Sequence, residues 1–183
     1  MQTSESQSLK SLVGTLSLEQ ITGVLEQLLR RLDELGRGER VHGCLAPDRV
    51  QIGEGGEVEL TDPGSDTPSG RTITGPGARR NDAHYISPEA VMGRVVTPAA
   101  DMYSIGCMTY EMLGGRPPFV EESPITLLTR QSRDRVPDVR ELAPDVPERV
   151  ALWVAQMTDK DPEKRHPDAA AAWEAFERAL ERA

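Results

Sequence analysis

His42 and Cys44 form the first pair of side chains in this sequence whose types and spacing could do chemistry. A cysteine beside a histidine can lose its proton to the imidazole and act as a nucleophile. The alternative is a small buried thiol that takes part in no reaction. Cys107 is the only other cysteine, so the chain has too few for a disulfide framework, and the two lack metal-ligand spacing. We therefore expect no metal site and a reducing, cytoplasmic environment.

The elements that must position these residues are a long helix before them and a hairpin after them. Apolar residues from Leu18 to Leu35 follow steps of three and four, which predicts a core-facing helix. Ser17 and Gln20 have the spacing of a capping box at its start. Two short strand-like runs, 49–52 and 57–61, flank a glycine-rich turn and predict a β-hairpin.

The rest of the chain predicts a mostly helical fold. Residues 101–113 are apolar on nearly every helical face, which predicts a helix buried all round. Further helices are predicted near residues 123–133, 147–158 and 168–183. Residues 63–80 are rich in Gly, Pro, Ser and Thr and are expected to form a mobile surface loop. Residues 1–8 are polar and expected to be flexible, which leaves one domain over 9–183.

Composition and charge exclude several classes of partner. The chain has 183 residues, enough for one domain, with 21 basic and 30 acidic residues and a net charge of −9. Nucleic acid and anionic membranes are polyanions that repel such a chain at long range, so neither is an expected partner. No apolar run approaches the roughly 18 residues that a membrane-spanning helix needs.

Six short stretches carry a more specific pattern. They are His42 to Arg49 (His-Gly-Cys-Leu-Ala-Pro-Asp-Arg), Asp62-Pro63-Gly64, Ser87-Pro88-Glu89, and residues 101–106, 115–119 and 161–165. In order and spacing they resemble the large, carboxy-terminal lobe of a protein kinase. Their residues are most similar in type to those of the bacterial eukaryotic-like serine/threonine kinases. The resemblance implies a mainly α fold: an isolated large lobe, built as a helical bundle with a small β-hairpin near a degenerate catalytic loop.

The departures from the family pattern shape the functional expectation. The resemblance places Cys44 at the catalytic aspartate, Ala46 at the lysine and Arg49 at the metal-binding asparagine, and keeps only Asp62. No glycine-rich loop or Val-Ala-Ile-Lys pattern occurs, so we expect the small lobe to be absent. These departures imply a pseudokinase that is not an enzyme, with no catalytic residue and no cofactor.

Two of these positions allow a sharper hypothesis. The resemblance brings the Arg49 guanidinium close to the magnesium position, where Asp62 would be its nearest anionic partner. Arg49 would then replace the metal with a fixed cation; the alternative is a solvated arginine. At Cys44, the family's histidine points inward, which favours the buried thiol over a nucleophile.

Other matched residues are expected to hold the lobe together. In the family, the equivalent of Glu89 pairs with the equivalent of Arg165, and the aspartate matching Asp101 accepts backbone N–H groups of the catalytic loop. Thr67, Thr72 and Thr74 are possible phosphorylation sites in the loop that corresponds to the activation segment. Gly43 replaces the arginine that would grip such a phosphate.

The resemblance therefore predicts a protein-binding scaffold or regulator. Its expected partner is a second copy of the chain, a cognate serine/threonine kinase or a phosphothreonine-reading protein, held near residues 44–52. Two alternatives are a small-molecule or nucleotide sensor that uses the remnant pocket, and one subunit of a split kinase.

Overall fold

The structure is a computed structural model that describes residues 6–37, 40–43, 45–60, 67–68, 71–72 and 83–181, with only the backbone of 67–68 and 71–72. Helices dominate these ranges and confirm the mainly α fold. They are α1 (Leu9–Leu12), α2 (Leu18–Arg37), α3 (Pro88–Val91), α4 (Pro98–Gly114), α5 (Pro124–Arg133), α6 (Glu148–Met157) and α7 (Ala169–Glu181). None of the helices within them is long and apolar enough to cross a membrane.

Short antiparallel strand pairs connect the helices. The strands are β1 (Gln7–Ser8), β2 (Arg40–Val41), β3 (Val50–Ile52), β4 (Val58–Leu60), β5 (Thr67–Pro68), β6 (Arg71–Thr72) and β7 (Val95–Val96). Strands β1, β3 and β4 form one sheet in that order, β2 pairs with β5, and β6 pairs with β7. The predicted hairpin is confirmed as β3 and β4, with Val50 opposite Leu60.

Three of these pairings involve the two segments, 1–8 and 63–80, that we expected to be flexible or mobile. Gln7 and Ser8 pair with Ile52 and Gln51 instead of fraying. Within the predicted loop 63–80, the backbone of 67–68 and of 71–72 is paired through β5 and β6. The remainder of that loop lies outside the described residues.

Helix α2 forms as its sequence predicts. The Ser17 N–H donates to Gln20 Oε1 at 2.9 Å, and the Gln20 N–H donates to Ser17 Oγ at 3.2 Å, which is the reciprocal bonding of a capping box. Its apolar face is buried against α4 and α7. Each fully buried leucine on that face contributes roughly 1.5 to 3 kcal/mol of hydrophobic stabilisation.

Helix α4 runs through the centre of the core and is buried from Ala99 to Met112. It starts at Pro98, one turn before the predicted Asp101, because proline fits the first turn of a helix, where no intrahelical N–H partner is lost. Gly106 allows α6 to approach closely, since a Cβ there would lie 2.7 Å from the Met157 Cβ. This helix is the scaffold on which the other segments are fixed.

Candidate functional site

The segment that resembles a catalytic loop is fixed by a buried carboxylate on α4. The His42 N–H donates to Asp101 Oδ2 at 2.8 Å, and the Gly43 N–H donates to Oδ1 at 2.7 Å. Burial raises the pKa of Asp101 to about 6, while the two N–H groups favour its charged form. The bonding expected of Asp101 from the resemblance is therefore present, and it sets the backbone path at His42 and Gly43.

The residues that follow are also buried. His42 and Ala46 have no exposed surface, and Arg49 is 6% exposed in a 3-10 turn at Pro47–Arg49. The alternative of a solvated Arg49 is therefore wrong. Asp62, its proposed partner, lies outside the described residues, as do Cys44, Pro63 and Gly64.

The side chains of the three predicted phosphorylation sites lie outside the described part of the structure. Thr67 lies in β5 and Thr72 in β6, where only the backbone is described, and Thr74 is not described. The second thiol is described: Cys107 on α4 is fully buried, and burial raises its pKa to about 12. A thiol in that environment stays protonated at neutral pH and is a poor nucleophile.

Glu89 and Arg165 form the buried ion pair that the resemblance implies. Arg165 Nη1 donates to Glu89 Oε1 at 2.8 Å and Nη2 to Oε2 at 2.9 Å, a bidentate geometry. The same guanidinium donates to the carbonyl oxygens of Ala99 and Asp159, each at 2.7 Å. With these bonds the guanidinium is satisfied without water, and α3 is tied to the start of α4 and to the segment after α6.

A second ionic cluster, centred on the buried Glu111 carboxylate, was missed by sequence reasoning. Lys10 Nζ lies 2.5 Å from Glu111 Oε1, and the Tyr85 hydroxyl donates to Glu111 Oε2 at 2.5 Å. Burial and the neighbouring Glu111 charge raise the pKa of Tyr85, so the phenol stays a donor. An acidic residue within the apolar stretch 101–113 was the available signal, because a buried carboxylate needs partners.

A third network joins α4, α5 and the segment after α6. Tyr103 donates its hydroxyl proton to Gln131 Oε1, and Lys160 Nζ donates to the Tyr103 oxygen at 2.6 Å and to the Gln131 carbonyl at 2.9 Å. Gln131 also donates to the His84 carbonyl. Burial lowers the pKa of Lys160 to about 8. The network holds His84, which precedes α3, against the helical core.

A cleft of about 200 Å³ opens above the Lys10 cluster. It is lined by Lys10, Pro47, Asp48, His84 and Tyr85. Asp48 Oδ1 is buried and has no hydrogen-bond partner among the described residues. An unpaired buried acceptor of this kind costs roughly 1 to 3 kcal/mol, so the cleft is suited to a ligand that brings a hydrogen-bond donor.

The cleft adjoins an exposed apolar surface. His84 Nδ1 lies 2.9 Å from the Phe119 carbonyl, and the next residue, Val120, is 58% exposed. Ile125, the second residue of α5, is 79% exposed. Since α3 packs against α5, the exposed Met92 just after α3 belongs to the same region. We call this region, comprising the Asp48 cleft with Met92, Val120 and Ile125, the α5 face.

Metal binding has little support among the described residues. They contain no group of three or more His, Cys, Asp or Glu side chains arranged to hold a metal ion. The resemblance links magnesium to positions 49 and 62, but a guanidinium offers only donors and a positive charge. Arg49 therefore does not fit a magnesium ligand, which would be an oxygen atom.

Comparisons with known proteins agree with this architecture. The family model for the protein kinase domain matches residues 1–175. A probable serine/threonine-protein kinase, pknA2 of Bifidobacterium longum, is 32% identical over 162 residues, which cover 88% of this chain and 21% of the relative. Serine/threonine-protein kinase PrkC of Bacillus subtilis is 29% identical over 157 residues, or 85% of this chain and 24% of that protein. PknA of Mycobacterium tuberculosis is 30% identical over 154 residues, 84% of this chain and 35% of the relative.

These comparisons correct one prediction and establish the family. The chain spans between 21% and 35% of the length of these three relatives. The prediction that the chain is not an enzyme is wrong, because the matching family model is that of an enzyme domain and the relatives are named as serine/threonine-protein kinases. With nearly all of its residues matched by the family model and its buried Asp101 and Glu89–Arg165 bonds formed, the chain belongs to the protein kinase family.

Proposed function

We propose that this kinase-family lobe acts in serine/threonine phosphorylation signalling by holding a protein partner on its α5 face, as a scaffold or regulator. The observation that carries the proposal is that Asp48, whose Oδ1 is buried and unpaired, lines a cleft beside exposed apolar side chains. A protein segment that inserts a donor into the cleft and covers those side chains removes both costs at once.

The charge of the chain favours a basic segment. The net charge is −9, and a carboxylate such as that of Asp48 can only accept hydrogen bonds. A lysine or arginine side chain carries a positive charge, which the net charge of the chain attracts, and donors for Asp48 Oδ1, which has no partner although Lys10 also lines the cleft. We therefore assign the occupant as a basic, partly apolar segment of a signalling protein.

The proposed face overlaps only in part with the region 44–52 expected from the sequence, since Pro47 and Asp48 line the cleft. Of the residues near 44–52, Leu45, Ala46 and Val50 are fully or almost fully buried. The large apolar side chains that are exposed in the described ranges are Met92, Val95, Val120, Ile125 and Leu152. Three of these five, Met92, Val120 and Ile125, belong to the α5 face, which is why the proposal uses that face.

The family supplies the context of the partner. The relatives are named as serine/threonine-protein kinases, so the proteins to look for are a kinase of that class or one of its protein substrates. The two buried networks at Glu89–Arg165 and Lys160 favour this proposal, because they hold α3 and His84 in fixed positions before any partner arrives.

The proposal is tested by affinity capture from native cell extract with the tagged chain and quantitative mass spectrometry. Asp48→Asn removes the carboxylate, and Ile125→Glu places a charge on the apolar part of the face. Asp145→Asn is the matched control for the first variant, because Asp145 is exposed in a loop. Ala170→Glu is the control for the second, since Ala170 is exposed and is also the second residue of its helix.

We expect a serine/threonine kinase or one of its substrates among the captured proteins, reduced about tenfold by each face variant, equivalent to about 1.4 kcal/mol, and retained by both controls. Light scattering of the purified chain reports self-association in the same set. Capture that is equal for all four variants, or a homodimer insensitive to Asp48→Asn and Ile125→Glu, would contradict the proposal.

A further inference from the structure

A groove between α6 and α7 lies apart from the α5 face and belongs to none of the three networks described above. It has a volume of about 290 Å³ and is lined by Arg149, Leu152, Trp153, Gln156, Ala175, Arg178 and Ala179. The α6 residues are spaced i, i+3, i+4 and i+7, and the α7 residues i, i+3 and i+4, so each set lies on one face of its helix. Two alanines on α7 leave the space into which the groove opens.

The groove combines an apolar lining with positive charge. Leu152 is 60% exposed although it follows the buried Ala151 and precedes the buried Trp153. Exposed Arg149 has no acidic side chain within 4.0 Å in the described part of the chain. Arg178 has only Glu174, at 3.6 Å, and both side chains of that pair are more than half exposed. Such an exposed pair contributes little, so both guanidinium groups are available to another partner.

We propose that this groove binds an acidic amphipathic helix of another protein. Leucine-type side chains of that helix would cover Leu152 and fill the space above Ala175 and Ala179. Its carboxylates would pair with Arg149 and Arg178, which lie on opposite walls of the groove. Carboxylates are favoured because two local positive charges stand out on a chain whose net charge is −9.

The size of the groove favours a peptide over a small molecule. A volume near 290 Å³ is at the low end of ligand cavities, enough for a few anchoring side chains and too little to enclose a cofactor. From Arg149 to Gln156 the groove follows about two helical turns, roughly 10 Å. A helix of two to four turns can therefore lie along it, in the manner of helices bound in apolar grooves.

Nucleic acid and anionic lipid are poor occupants in spite of the arginines. Both present many phosphates to a whole protein face, and the excess of 30 acidic over 21 basic residues repels them. A short acidic helix would contact only the region around Arg149 and Arg178 and would be attracted by these two positive charges. The occupant therefore differs in charge from the basic segment proposed for the α5 face.

The test uses a fluorescein-labelled peptide of about 16 residues, roughly 24 Å as a helix, with leucines at i, i+3, i+4 and i+7 and glutamates flanking them. A second peptide has lysine at every glutamate position, and a third has the acidic composition in scrambled order. Fluorescence anisotropy with the purified chain should give saturable binding of the acidic helix, at least about tenfold tighter than either comparison peptide. Binding should weaken as salt is raised.

Two charge-matched variants locate the site. Arg149→Glu/Arg178→Glu should weaken binding of the acidic peptide at least about tenfold. Arg116→Glu/Arg135→Glu makes the same change in net charge at exposed arginines outside the groove and should keep binding within about threefold. Circular dichroism melting confirms that both variants fold, and Leu152→Ser tests the apolar part with no change in charge.

The proposal is overturned if the acidic and lysine peptides bind equally, or if both arginine pairs weaken binding to the same extent. It is also overturned if the groove proves to be covered by a second copy, seen as a dimer in light scattering that Arg149→Glu/Arg178→Glu dissociates. The peptide assay needs no partner captured on the α5 face, so this inference and the proposed function can fail separately.

Discussion

The Glu89–Arg165 pair and Asp48 at the α5 face differ in whether their buried polar atoms have hydrogen-bond partners. Inside, Arg165 makes four short bonds to Glu89, Ala99 and Asp159. At the α5 face, one carboxylate oxygen of Asp48 is buried with no partner in the described ranges. The paired groups join segments far apart in sequence, whereas Asp48 lines an open cleft.

The difference indicates which groups serve the fold and which serve binding. A buried ion pair contributes little net stability over apolar packing, but removing one partner leaves the other charge buried and is costly. Such pairs fix geometry. An unpaired acceptor at a cleft costs stability in the free protein and is satisfied only when a donor arrives.

The largest expected effect comes from breaking the interior pair. Arg165→Ala should lower the free energy of unfolding by roughly 3 to 5 kcal/mol, because it leaves the buried Glu89 carboxylate without its partner. Arg30→Ala is the matched control, since Arg30 makes a pair of the same 2.8 Å length with Glu26 on the exposed side of α2. It should cost less than about 1 kcal/mol in urea denaturation. Equal losses would remove the distinction between the two kinds of pair.

The Asp101 bonds should give the next largest effect. Asp101→Asn keeps the shape of the side chain but replaces one acceptor with an amide N–H₂ that faces a backbone N–H. We expect the free energy of unfolding to fall by roughly 1 to 3 kcal/mol and hydrogen exchange to become faster at the amides of His42 and Gly43. Asp138→Asn, at an exposed site, should leave those two amides unchanged. Unchanged exchange in Asp101→Asn would mean that Asp101 does not hold the loop.

The features of the interior that the sequence predicts are those encoded by residues close together in the chain. Helix α2, its capping box and the β3–β4 hairpin are encoded by residues within a few positions of each other, and all three were predicted. The Asp101 and Glu89–Arg165 bonds were predicted only through the family resemblance. Their partners are 59 and 76 residues apart, and no periodicity links them.

The features that were missed are the ones set entirely by tertiary contacts. Lys10 meets Glu111 across 101 residues, and the two-residue strand β1 is defined only by its pairing with β3. The unpaired oxygen of Asp48 has no sequence signal, because satisfaction of an acceptor depends on what the fold places around it. The α5 face was therefore visible only in three dimensions.

The pH dependence of the free energy of unfolding tests the burial of Lys160, and its expected effect is smaller than that of the two substitutions above. Burial lowers its pKa from 10.5 to about 8, so below pH 8 the folded and the unfolded chain both hold the proton and the cost of burial is fully present. Between about pH 8 and 10.5 only the unfolded chain holds it, so this group's contribution to stability rises with pH. Relative to Lys160→Met, the wild-type free energy of unfolding should increase by roughly 1 kcal/mol from pH 7.5 to 9. A flat or falling difference would show that Lys160 is not buried as described.

Substitutions at the α5 face should change the free energy of unfolding least. Asp48→Asn should change the free energy of unfolding by less than about 1 kcal/mol, in the stabilising direction, because it removes the charge from a carboxyl group that has an unpaired oxygen. Ile125→Glu should change it by less than about 0.5 kcal/mol, since Ile125 is 79% exposed. Thermal melting checks both, beside the capture assay. Large destabilisation by either variant would assign these residues to the fold and not to binding.

The most direct test of the account is a hydrogen-exchange footprint of the chain with the protein partner recovered by capture. We predict slower exchange on binding at residues 47–48, 83–92 and 119–127, which form or adjoin the α5 face, with the hairpin 50–60 unchanged. Protection confined to the hairpin or to α6 and α7, or a chain that recovers no signalling protein at all, would contradict it.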